Sequence, residues 1–569
     1  MKKNLFKRMM TLLLTLSLLL PLVATAETEA FDASKICEGV TLTIAVADDN
    51  EVPDWENTYM TQLIQDTLGV DLVFQVYPAA DYLDKLNVMV NGGDTLPDII
   101  FRCDGCNINT AAVSWAADEA IIPLNKYYAD KNYSANFWAS CEALDVDILP
   151  SMTDADGNVW GLPYYQAAPT NETPSKMWYN QAWAKKLGFD EIVTIDDYYE
   201  LCKAVVAAGD LNGNGKADEV CMTSYAGKLT WFTHLMNAFV YASDDYYLDV
   251  QAGELRFAFT TEEWKEGLKY IRKFFEEGLY TTNLFTQDKS ARDAQQKGKE
   301  AITLAFWDYY VQNADTENPM NQQEVRAQYE CVPALQGPTG LTQVHYVPSV
   351  PQTGAVITVD CENPDAAFLV LDFMMQEELG ISNRYGQRGV DWDYWADAQQ
   401  KKAANDLDNY AARVSSEEIF IIAYSDGTYW GKGNPQYAGY MQAGPCFFGG
   451  NVWSGMATAI FDESDPEDGV LNAYKNAYNA KAFGYVALAH EDKYMPDETI
   501  VTLPMTADES EEASDIYKTM ESYVNESIAK FLTGEWDIDG YWDTYMGELE
   551  KIGYKDALAI YQTAYDRTK

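Results

Sequence analysis

The sequence is poor in histidine and in basic residues, and each shortage excludes a class of function. Only three histidines occur among 569 residues: His234, His345 and His490. A Ser-His-Asp catalytic set or a histidine-rich metal site therefore has few candidates. Basic residues number 40 against 88 acidic ones, which gives a formal net charge of −48. Such a surface repels phosphate backbones, so we expect no nucleic-acid partner.

Long apolar runs are missing after the N-terminus, so no membrane-spanning helix is predicted in the body of the chain. The first eight residues include four basic ones, and an apolar run over 9–23 and the small residues of 24–26 follow. This order predicts a signal peptide over 1–26, cleaved before Glu27. An uncleaved anchor is the alternative, disfavoured because the run is shorter than the ~20 residues that a span needs. We expect an exported, soluble protein.

Cysteine is scarce, with nine residues scattered along the chain. An odd number in an exported protein leaves at least one thiol unpaired or intermolecular. Cys103 and Cys106 form the only CxxC pair. A zinc site usually needs a second pair, and a redox pair is expected at a helix N-terminus. We therefore favour a local disulfide or free thiols over a zinc or redox centre.

The first hundred residues predict alternating strands and helices with short connections. Strands are expected over 40–46, 72–76 and 97–101, and the helices between them end at Gly69 and at Gly92. This alternation is typical of a parallel sheet covered by helices. In such sheets ligands bind beyond the carboxyl ends of the strands. The residues expected there are Asp48, Asp49, Arg102 and Asp104.

Residues 154–165 (DADGNVWGLPYY) predict a chain crossing between two bodies. The Asp-Gly-Asn sequence favours a tight turn, and Val159 with Trp160 favours a short strand. Pro163 is expected to exclude the residues after it from the middle of a sheet. A strand that runs into proline and two tyrosines fits a crossing whose rings face a cleft. An ordinary hairpin with core aromatics is the alternative.

The remainder of the chain predicts a second body of strands and helices. Thr194 and Asp197 have the spacing of a capping box. Asn363 and Pro364 favour a helix start, and Gly380 is expected to stop that helix. The C-terminal tail reads as helical, with apolar residues at helical spacing. Strands are expected over 176–180, 301–306 and 353–358.

Residues 210–219 (DLNGNGKADE) match most of a calcium-binding loop of the EF-hand type. A hard cation needs several oxygens at one centre, and the chain must turn sharply at Gly215 to surround it. Position 12 is Cys221, so the usual bidentate Glu is missing and a nearby carboxylate must complete the shell. The alternative is a glycine-rich turn without metal. The predicted Ca²⁺ ligands are Asp210, Asn212, Asn214, Lys216 (through its carbonyl), Asp218 and Glu219.

Aromatic residues near predicted strand ends favour a carbohydrate groove. Sugar C–H faces stack on flat rings, and sugar hydroxyls bond to carboxylates and amides. Any one of these rings has the alternative role of a core residue. The 88 acidic residues also offer many carboxylate pairs for glycoside hydrolysis, but no pair stands out by position. The predicted groove residues are Trp160, Tyr164, Tyr165, Trp178, Trp231, Trp307 and Tyr309.

These motifs, in this order, resemble family 1 extracellular solute-binding proteins of ABC importers. The resemblance rests on segments 94–101 (DTLPDIIF), 159–164 (VWGLPY) and 298–304 (GKEAITL). It is strongest to the large subgroup that takes up oligosaccharides, whose calcium-type loop is similar to 210–219. Segments 385–389 (YGQRG), 531–535 (FLTGE) and 560–566 (IYQTAYD) are also similar to that subgroup. The resemblance spans nearly the whole mature chain.

The resemblance implies an α/β, two-lobed periplasmic-binding-protein-like fold (type II) with a hinge, a central ligand cleft and a helical C-terminal extension. Lobe one would hold residues 40–160 and 348–398, and lobe two 161–347 and 399–569. By analogy with maltose-binding proteins, sugar contacts are expected at Asp48, Asp49, Arg102, Asp104, Tyr164, Tyr165, Trp307 and Asp308.

One feature departs from the family. Gram-positive members are usually lipoproteins, yet Cys37 follows Ser-Lys-Ile, which is not a lipobox, and no cysteine follows the apolar run. We expect an extracellular or cell-surface protein that is released, or that is held at the surface by its transporter or by another component.

The predicted function is therefore non-enzymatic capture of an oligosaccharide and its delivery to the membrane permease subunits of an ABC transporter. A structural Ca²⁺ is the predicted cofactor. Two alternatives stay open: a secreted carbohydrate-active enzyme, and the same fold binding a peptide or another polar solute.

Overall fold

The structure is a computed structural model, and it describes most of the chain. Its residues are 31–48, 54–103, 108–166, 172–173, 176–243, 247–296, 300–308, 325, 328–332, 334–385, 388, 392–394, 419–421, 443–448 and 494–569. The predictions for 1–26, Asp49, Asp104 and Tyr309 lie outside these ranges. Within them, every helix is too short or too polar to cross a bilayer.

Strands and helices alternate through most of the described chain. The strands are β1 (Thr41–Asp48), β2 (Asp71–Pro78), β3 (Ile99–Phe101), β4 (Leu162–Gln166), β5 (Met177–Asn180), β6 (Val220–Thr223), β7 (Leu248–Gln251), β8 (Glu254–Phe257), β9 (Thr303–Trp307), β10 (Tyr329–Val332), β11 (Gln352–Ile357), β12 (Trp392–Tyr394), β13 (Ile419–Ile421) and β14 (Cys446–Phe448). The helices are α1 (Ala33–Cys37), α2 (Tyr59–Leu68), α3 (Tyr82–Gly92), α4 (Asn109–Ala117), α5 (Asn125–Ala129), α6 (Ala135–Ala143), α7 (Gln181–Lys186), α8 (Ile195–Ala208), α9 (Thr230–Met236), α10 (Glu262–Glu276), α11 (Asn283–Thr286), α12 (Lys289–Gln296), α13 (Pro364–Phe373), α14 (Glu377–Tyr385), α15 (Ala507–Leu532), α16 (Ile538–Ile552) and α17 (Tyr554–Asp566).

Local signals in the sequence account for several helix ends. Helix α2 ends at Gly69, which has φ of +72° and closes the last turn as a left-handed cap. Helix α8 begins at the predicted capping box, in which Thr194 and Asp197 each accept a hydrogen bond from the other's backbone N–H. Both predictions are confirmed.

The first lobe is built on a six-stranded sheet with the order β14-β4-β11-β3-β1-β2. Strands β2, β1 and β3 run parallel, whereas β11 runs antiparallel to both β3 and β4. Strands β3 and β4 therefore point the same way. The alternation of side chains along β1 buries both faces: Ile44 lies in one core with Ile64, and Ala45 in another with Leu86.

The second lobe is built on a four-stranded sheet with the order β10-β5-β9-β6. Strands β6 and β9 run parallel, and β5 is antiparallel to β9 and to β10. The tail helices α15 and α16 add Phe531 and Tyr545 to the core of this lobe, alongside Trp264 of α10. The helical C-terminal extension that we predicted is thus part of the second hydrophobic core.

The chain crosses between the lobes from one carboxyl edge to the other. Strand β4 ends at the same edge of the first sheet as β3, and the chain then reaches the start of β5, where Met177 pairs with Trp307 at the end of β9. The return crossing runs from the end of β10 to the start of β11. The two crossings are joined, because Val347 N donates to Glu172 O at 2.7 Å and Ser349 Oγ to Glu172 Oε1 at 2.7 Å. The carboxyl edges of both sheets therefore border one cleft.

Proline 163 is accommodated inside the first sheet, which corrects the sequence-based expectation. Strand β4 continues through Pro163 and pairs with β11 on one side and β14 on the other. The pairing with β11 shifts register between Thr353 and Ala355, and such a bulge tolerates a residue without an N–H.

One other expectation is also corrected. Gly380 does not end a helix, since it lies inside α14; helix α13 ends at Phe373 instead. The lobe boundaries stay a prediction: those after residues 160 and 398 assign β4 and β14 to the second lobe, whereas both strands pair within the first sheet. A boundary drawn from sequence could not detect β14, because the pairing is parallel and long-range.

The cysteines follow the favoured alternative of a disulfide together with free thiols. Cys103 is disulfide-bonded. Seven other cysteines in the described ranges form no disulfide, and most of them are buried, where desolvation raises the pKa of Cys37 and Cys141 to about 11. These buried thiols act as small apolar core residues.

We expect Gly354→Ala to destabilise the protein. A Cβ at Gly354, within the bulge, would lie 2.6 Å from Pro445 Cα and 2.9 Å from Tyr164 N. Strands β4, β11 and β14 would have to separate, at a cost of about 1–3 kcal/mol in unfolding free energy. Urea unfolding measures the change.

The matched control is Gly547→Ala in helix α16, where nothing lies within 4 Å of the added Cβ. There alanine should raise the unfolding free energy by about 1 kcal/mol, because glycine is a poor helix former. Equal stability of Gly354→Ala and the unaltered protein would contradict the close packing of the three strands.

Candidate functional site

The carboxyl edge of the second sheet holds a cluster of polar and aromatic side chains. Strand β6 delivers Ser224 and Tyr225 just beyond its last residue, and β9 delivers Trp307 and Asp308. Ligands of open α/β sheets bind at this edge. Tyr225, Trp307 and Asp308 are all partly exposed.

A buried guanidinium stands behind this edge. Helix α12 begins after Asp288, whose Oδ1 accepts Ala291 N at 2.7 Å, and its first turn carries Arg292, 7% exposed. Arg292 Nη1 lies 3.3 Å from Asp308 Oδ2, and its Cζ lies 5.1 Å from the centre of the Tyr225 ring. The guanidinium thus contacts both a carboxylate and an aromatic ring of the edge.

Amides and hydroxyls extend the cluster toward β6. Gln287 Nε2 donates to Ser224 O and, at 3.3 Å, to Thr223 Oγ1. Thr223 Oγ1 also donates to Gln295 Oε1 on α12. Charged, amide, hydroxyl and aromatic groups therefore converge, which is the mixture that binds a hydroxyl-rich ligand.

Lys176, just before β5, is fully buried beneath the same edge. Its Nζ donates to Thr173 O at 2.8 Å. Burial lowers the pKa of Lys176 to about 7, against the opposing effects of the nearby Cys331 and Asp308.

The first lobe contributes a stacked pair across the cleft. The Arg102 guanidinium lies 3.8 Å from the centre of the Tyr164 ring, and Arg102 is 6% exposed. Arg102 follows β3 and Tyr164 lies on β4, which end at the same edge. Asp48, the last residue of β1, is exposed in the same sheet. The structure therefore brings together Arg102 and Tyr164, as the sequence predicts.

Three predicted groove residues are core residues instead. Trp178 and Trp231 are 0% exposed, and Tyr165 is 5% exposed. Trp231 packs against Phe232, Tyr280 and other rings of the second core. We leave all three out of the proposed ligand contacts, because their rings are covered by protein.

Trp178 still contributes indirectly to the edge. Its Nε1 donates to Asp308 O at 2.9 Å, and Asp308 N donates to Lys176 O at 3.2 Å. The indole therefore holds the backbone that presents the Asp308 carboxylate.

Trp160 lies away from the cleft edge, at the start of β4. Its Nε1 donates to Asp154 Oδ2 at 2.6 Å. The ring lines a cavity of about 160 Å³ together with Met505 and Ala507 at the start of α15. Trp160 therefore belongs to the contact between the first lobe and the tail helices.

The predicted calcium loop connects α8 to β6. Asp210 accepts Gly213 N at 2.8 Å and Gly215 N at 3.0 Å through its two oxygens. Gly215 has φ of +82°, the sharp turn that the motif requires. Asn214 Nδ2 donates to Asp218 Oδ1 at 3.3 Å, so the side chains of Asn214 and Asp218 lie together.

Glu219 completes the loop. Its Oε1 accepts Leu211 N at 2.6 Å and Asn212 N at 3.1 Å, whereas its Oε2 is buried without a hydrogen-bond partner in the described part of the chain. A buried carboxylate oxygen of this kind fits a cation ligand. Within the described ranges, no three His, Cys, Asp or Glu side chains converge by themselves. The loop would therefore depend on amide and carbonyl oxygens as well.

Sequence reasoning missed Tyr225, Gln287, Arg292 and Gln295. Helix α12 has no apolar stripe, so periodicity gives no sign that one of its faces is buried. Strand β6, which places Tyr225 two residues beyond its end at Thr223, was not predicted from the sequence either.

Known proteins share this architecture. The curated relative "Fructooligosaccharide ABC transporter substrate-binding protein FusA" of Streptococcus pneumoniae serotype 4 is 24% identical over 526 residues, covering 89% of this chain and 86% of that protein. The solved structure of FusA in complex with kestose has a TM-score of 0.66 at 23% identity, over 93% of this chain and 99% of that one. An HMO-binding solute-binding protein of Bifidobacterium longum infantis has a TM-score of 0.69 at 17% identity, over 93% and 98%.

These structural likenesses establish the two-lobed fold. The model of the family "Bacterial extracellular solute-binding protein" matches residues 56–381, more than half of the chain. The match begins after β1 and includes β2 to β11. It therefore includes all four strands of the second sheet. The chain therefore belongs to the bacterial extracellular solute-binding protein family.

Proposed function

We propose that this protein captures an oligosaccharide in the cleft between its lobes and delivers it to the permease of an ABC transporter. One observation carries the proposal: aromatic, guanidinium, carboxylate and amide groups converge at the carboxyl edges of both sheets. Tyr164 with Arg102 stands on the first lobe, and Trp307 with Asp308 on the second. FusA, which resembles this chain over most of its length, is described as a fructooligosaccharide-binding component of such a transporter.

Binding is proposed to favour the closed arrangement of the lobes. A ligand that touches both edges gains contacts only when the edges approach, and this difference in affinity drives closure. The crossings held together at Glu172 would form the hinge. We further propose that lobe one also includes β4 and β14, and that export follows from a signal peptide over 1–26.

We propose that the ligand is released unchanged, because membership of the bacterial extracellular solute-binding protein family favours a binding role. The test is isothermal titration calorimetry against oligosaccharide pools, with chromatography of the pool before and after incubation. Binding without new products supports the proposal. New, shorter products indicate a carbohydrate-active enzyme, and binding of peptides but of no sugar indicates a different cargo.

Tryptophan variants test where the sugar lies. We expect Trp307→Phe to weaken oligosaccharide binding on the order of tenfold, about 1.4 kcal/mol, because the smaller phenyl ring would make only part of the contact proposed for the indole. Trp231→Phe is the matched control: its ring is fully buried, so affinity should stay unchanged while stability falls by roughly 1–3 kcal/mol.

Calorimetry gives the affinities, and thermal unfolding gives the stabilities of the two variants. Weaker binding in Trp231→Phe, with full affinity in Trp307→Phe, would place the ligand away from the edge of β9.

We also propose that residues 210–219 hold a structural Ca²⁺. This proposal is supported by the contact between Asn214 and Asp218 and by Glu219 Oε2, which is buried without a hydrogen-bond partner in the described part of the chain. Two structural neighbours also support it: a FusA EF-hand mutant, and the alginate-binding protein AlgQ2, which was solved without calcium ion. The Ca²⁺ ion would supply the positive charge that attracts these oxygens to one centre. Because the loop leads into β6, it would hold the strand that presents Ser224 and Tyr225.

We expect Ca²⁺ to raise the melting temperature of the purified protein, since a ligand that binds only the folded state stabilises it by about 2.7 kcal/mol at 100 times its Kd. Asp210→Ala should abolish this rise, and Glu548→Gln, on the exposed surface of α16, should retain it. A Ca²⁺-dependent rise of equal size in Asp210→Ala would place the ion elsewhere.

A further inference from the structure

Two buried cysteines face each other on either side of the loop at 210–219. Cys202 lies in the middle of helix α8 and is 0% exposed, and Cys221 lies in strand β6 and is 1% exposed. The Sγ of Cys221 donates to Cys202 O at 3.4 Å, so the side chain of the strand residue reaches the backbone of the helix residue. Both cysteines are free thiols in this structure.

The two thiols also contact each other. Burial, together with the hydrogen bond between the two thiols, raises the pKa of Cys202 above its ordinary value. Cys37 in the first lobe is a useful contrast, because it is equally buried but its Sγ faces Ala366 O at 4.0 Å. A disulfide joins side chains that meet directly, and the thiols of Cys202 and Cys221 already meet with α8 and β6 in their present positions.

Buried phenols hold the helix and the strand together at this point. Tyr198 lies one turn before Cys202 on α8, and its hydroxyl donates to Cys221 O at 3.4 Å. The same hydroxyl lies 2.9 Å from that of Tyr280, which is 3% exposed. Helix α8 is therefore hydrogen-bonded to the strand residue that carries the second sulfur.

The positions of the two cysteines in the chain give a bond between them a mechanical effect. They are 19 positions apart, and residues 210–219 lie between them. A bond between the sulfurs would close a ring that contains this loop, and it would fasten β6 to α8. Closing such a ring restricts the unfolded chain and so stabilises the folded protein.

Export would supply the oxidising surroundings that the bond needs. Disulfides form and persist in proteins outside the cytosol, and we propose export for this chain. The thiolate is the reacting form of cysteine, and burial disfavours it. Since both thiols are buried in the folded protein, an oxidant reaches them most readily before α8 packs on β6.

We propose that Cys202 and Cys221 form a disulfide while the exported chain folds, and that this bond fastens both ends of the segment that carries residues 210–219. The inference rests on the proposed export and not on the proposed ligand. Its failure would leave oligosaccharide capture standing, because the experiments below use no sugar.

The oxidant is a second disulfide, either of a small molecule or of an oxidoreductase. One cysteine thiolate attacks a sulfur of this oxidant, which forms a mixed disulfide and releases one thiol. The second cysteine thiolate then attacks the mixed disulfide and releases the other thiol. The two cysteines lose two protons and two electrons, and the oxidant disulfide becomes two thiols.

Peptide mapping tests the bond. The full chain is unfolded with its thiols reduced and is refolded with reduced and oxidised glutathione; free thiols are then blocked with iodoacetamide. Only protein that unfolds cooperatively in urea is digested with trypsin, without reductant. Trypsin cuts at two lysines between the cysteines, so Cys202 is recovered in peptide 187–203 and Cys221 in peptide 217–228.

We expect a species that contains both peptides, is lighter than their sum by two hydrogen atoms and separates on reduction. Recovery of the two peptides as separate alkylated species overturns the inference, and so does a bond from either one to another cysteine.

The order of addition tests when the bond forms. Oxidised glutathione added to protein that is already folded and reduced should give the linked peptides far more slowly, at a rate set by unfolding. Equal rates in the two experiments would overturn formation during folding, because they would show that the folded protein admits the oxidant.

Thermal unfolding tests the stabilising effect. Protein refolded with oxidant should melt at least about 3 °C higher than protein refolded with reductant, and the control Cys37→Ala should keep this difference. In Cys202→Ala the difference should shrink to the contribution of the disulfide at Cys103. Cys221→Ala serves the same purpose if Cys202→Ala does not fold. An equal difference in these variants and in Cys37→Ala would overturn the stabilising role of the bond.

Discussion

The structure depends on one constraint: both described crossings of the chain between the two sheets lie at the carboxyl edges of those sheets. The carbonyl and carboxylate of Glu172 join the first crossing to Val347 and Ser349 of the second. Because each crossing begins and ends at a strand terminus, the residues that follow β3, β4, β6 and β9 are brought to the same space. The location of the site is therefore a consequence of topology rather than of any single motif.

Burial of charge then determines what that space can bind. Arg292 and Lys176 lie beneath the edge, where an unpaired cation would be costly, and each has a polar partner within the protein. Both cations lie behind the edge, whereas its partly exposed positions are occupied by aromatic rings and by Asp308. Because the buried cations are satisfied within the protein, rings and a carboxylate remain at the surface of the edge, and these groups suit the hydroxyl groups of a ligand.

Periodicity and local caps predict much of this fold, since they depend on residues close in sequence. Thr194 with Asp197 identifies the start of α8, and Gly69 the end of α2, because a cap needs only its own neighbours. The role of Pro163 could not be predicted, since its bulge forms only where β11 arrives from nearly two hundred residues away. The sequence predicts Trp231 and Trp307 alike as groove residues. Only the packing shows that the Trp231 ring is buried and that Trp307 is partly exposed.

The loop at 210–219 has some features that local sequence predicts and others that only the packed structure shows. Its oxygen spacing is readable from sequence, whereas the buried Glu219 Oε2 appears only once β6 is packed. Since β6 starts directly after the loop and ends at Thr223, any tightening of the loop is transmitted along four residues to the cleft. The Ca²⁺ that we propose for this loop would therefore act on the edge of the cleft through β6, without touching the ligand.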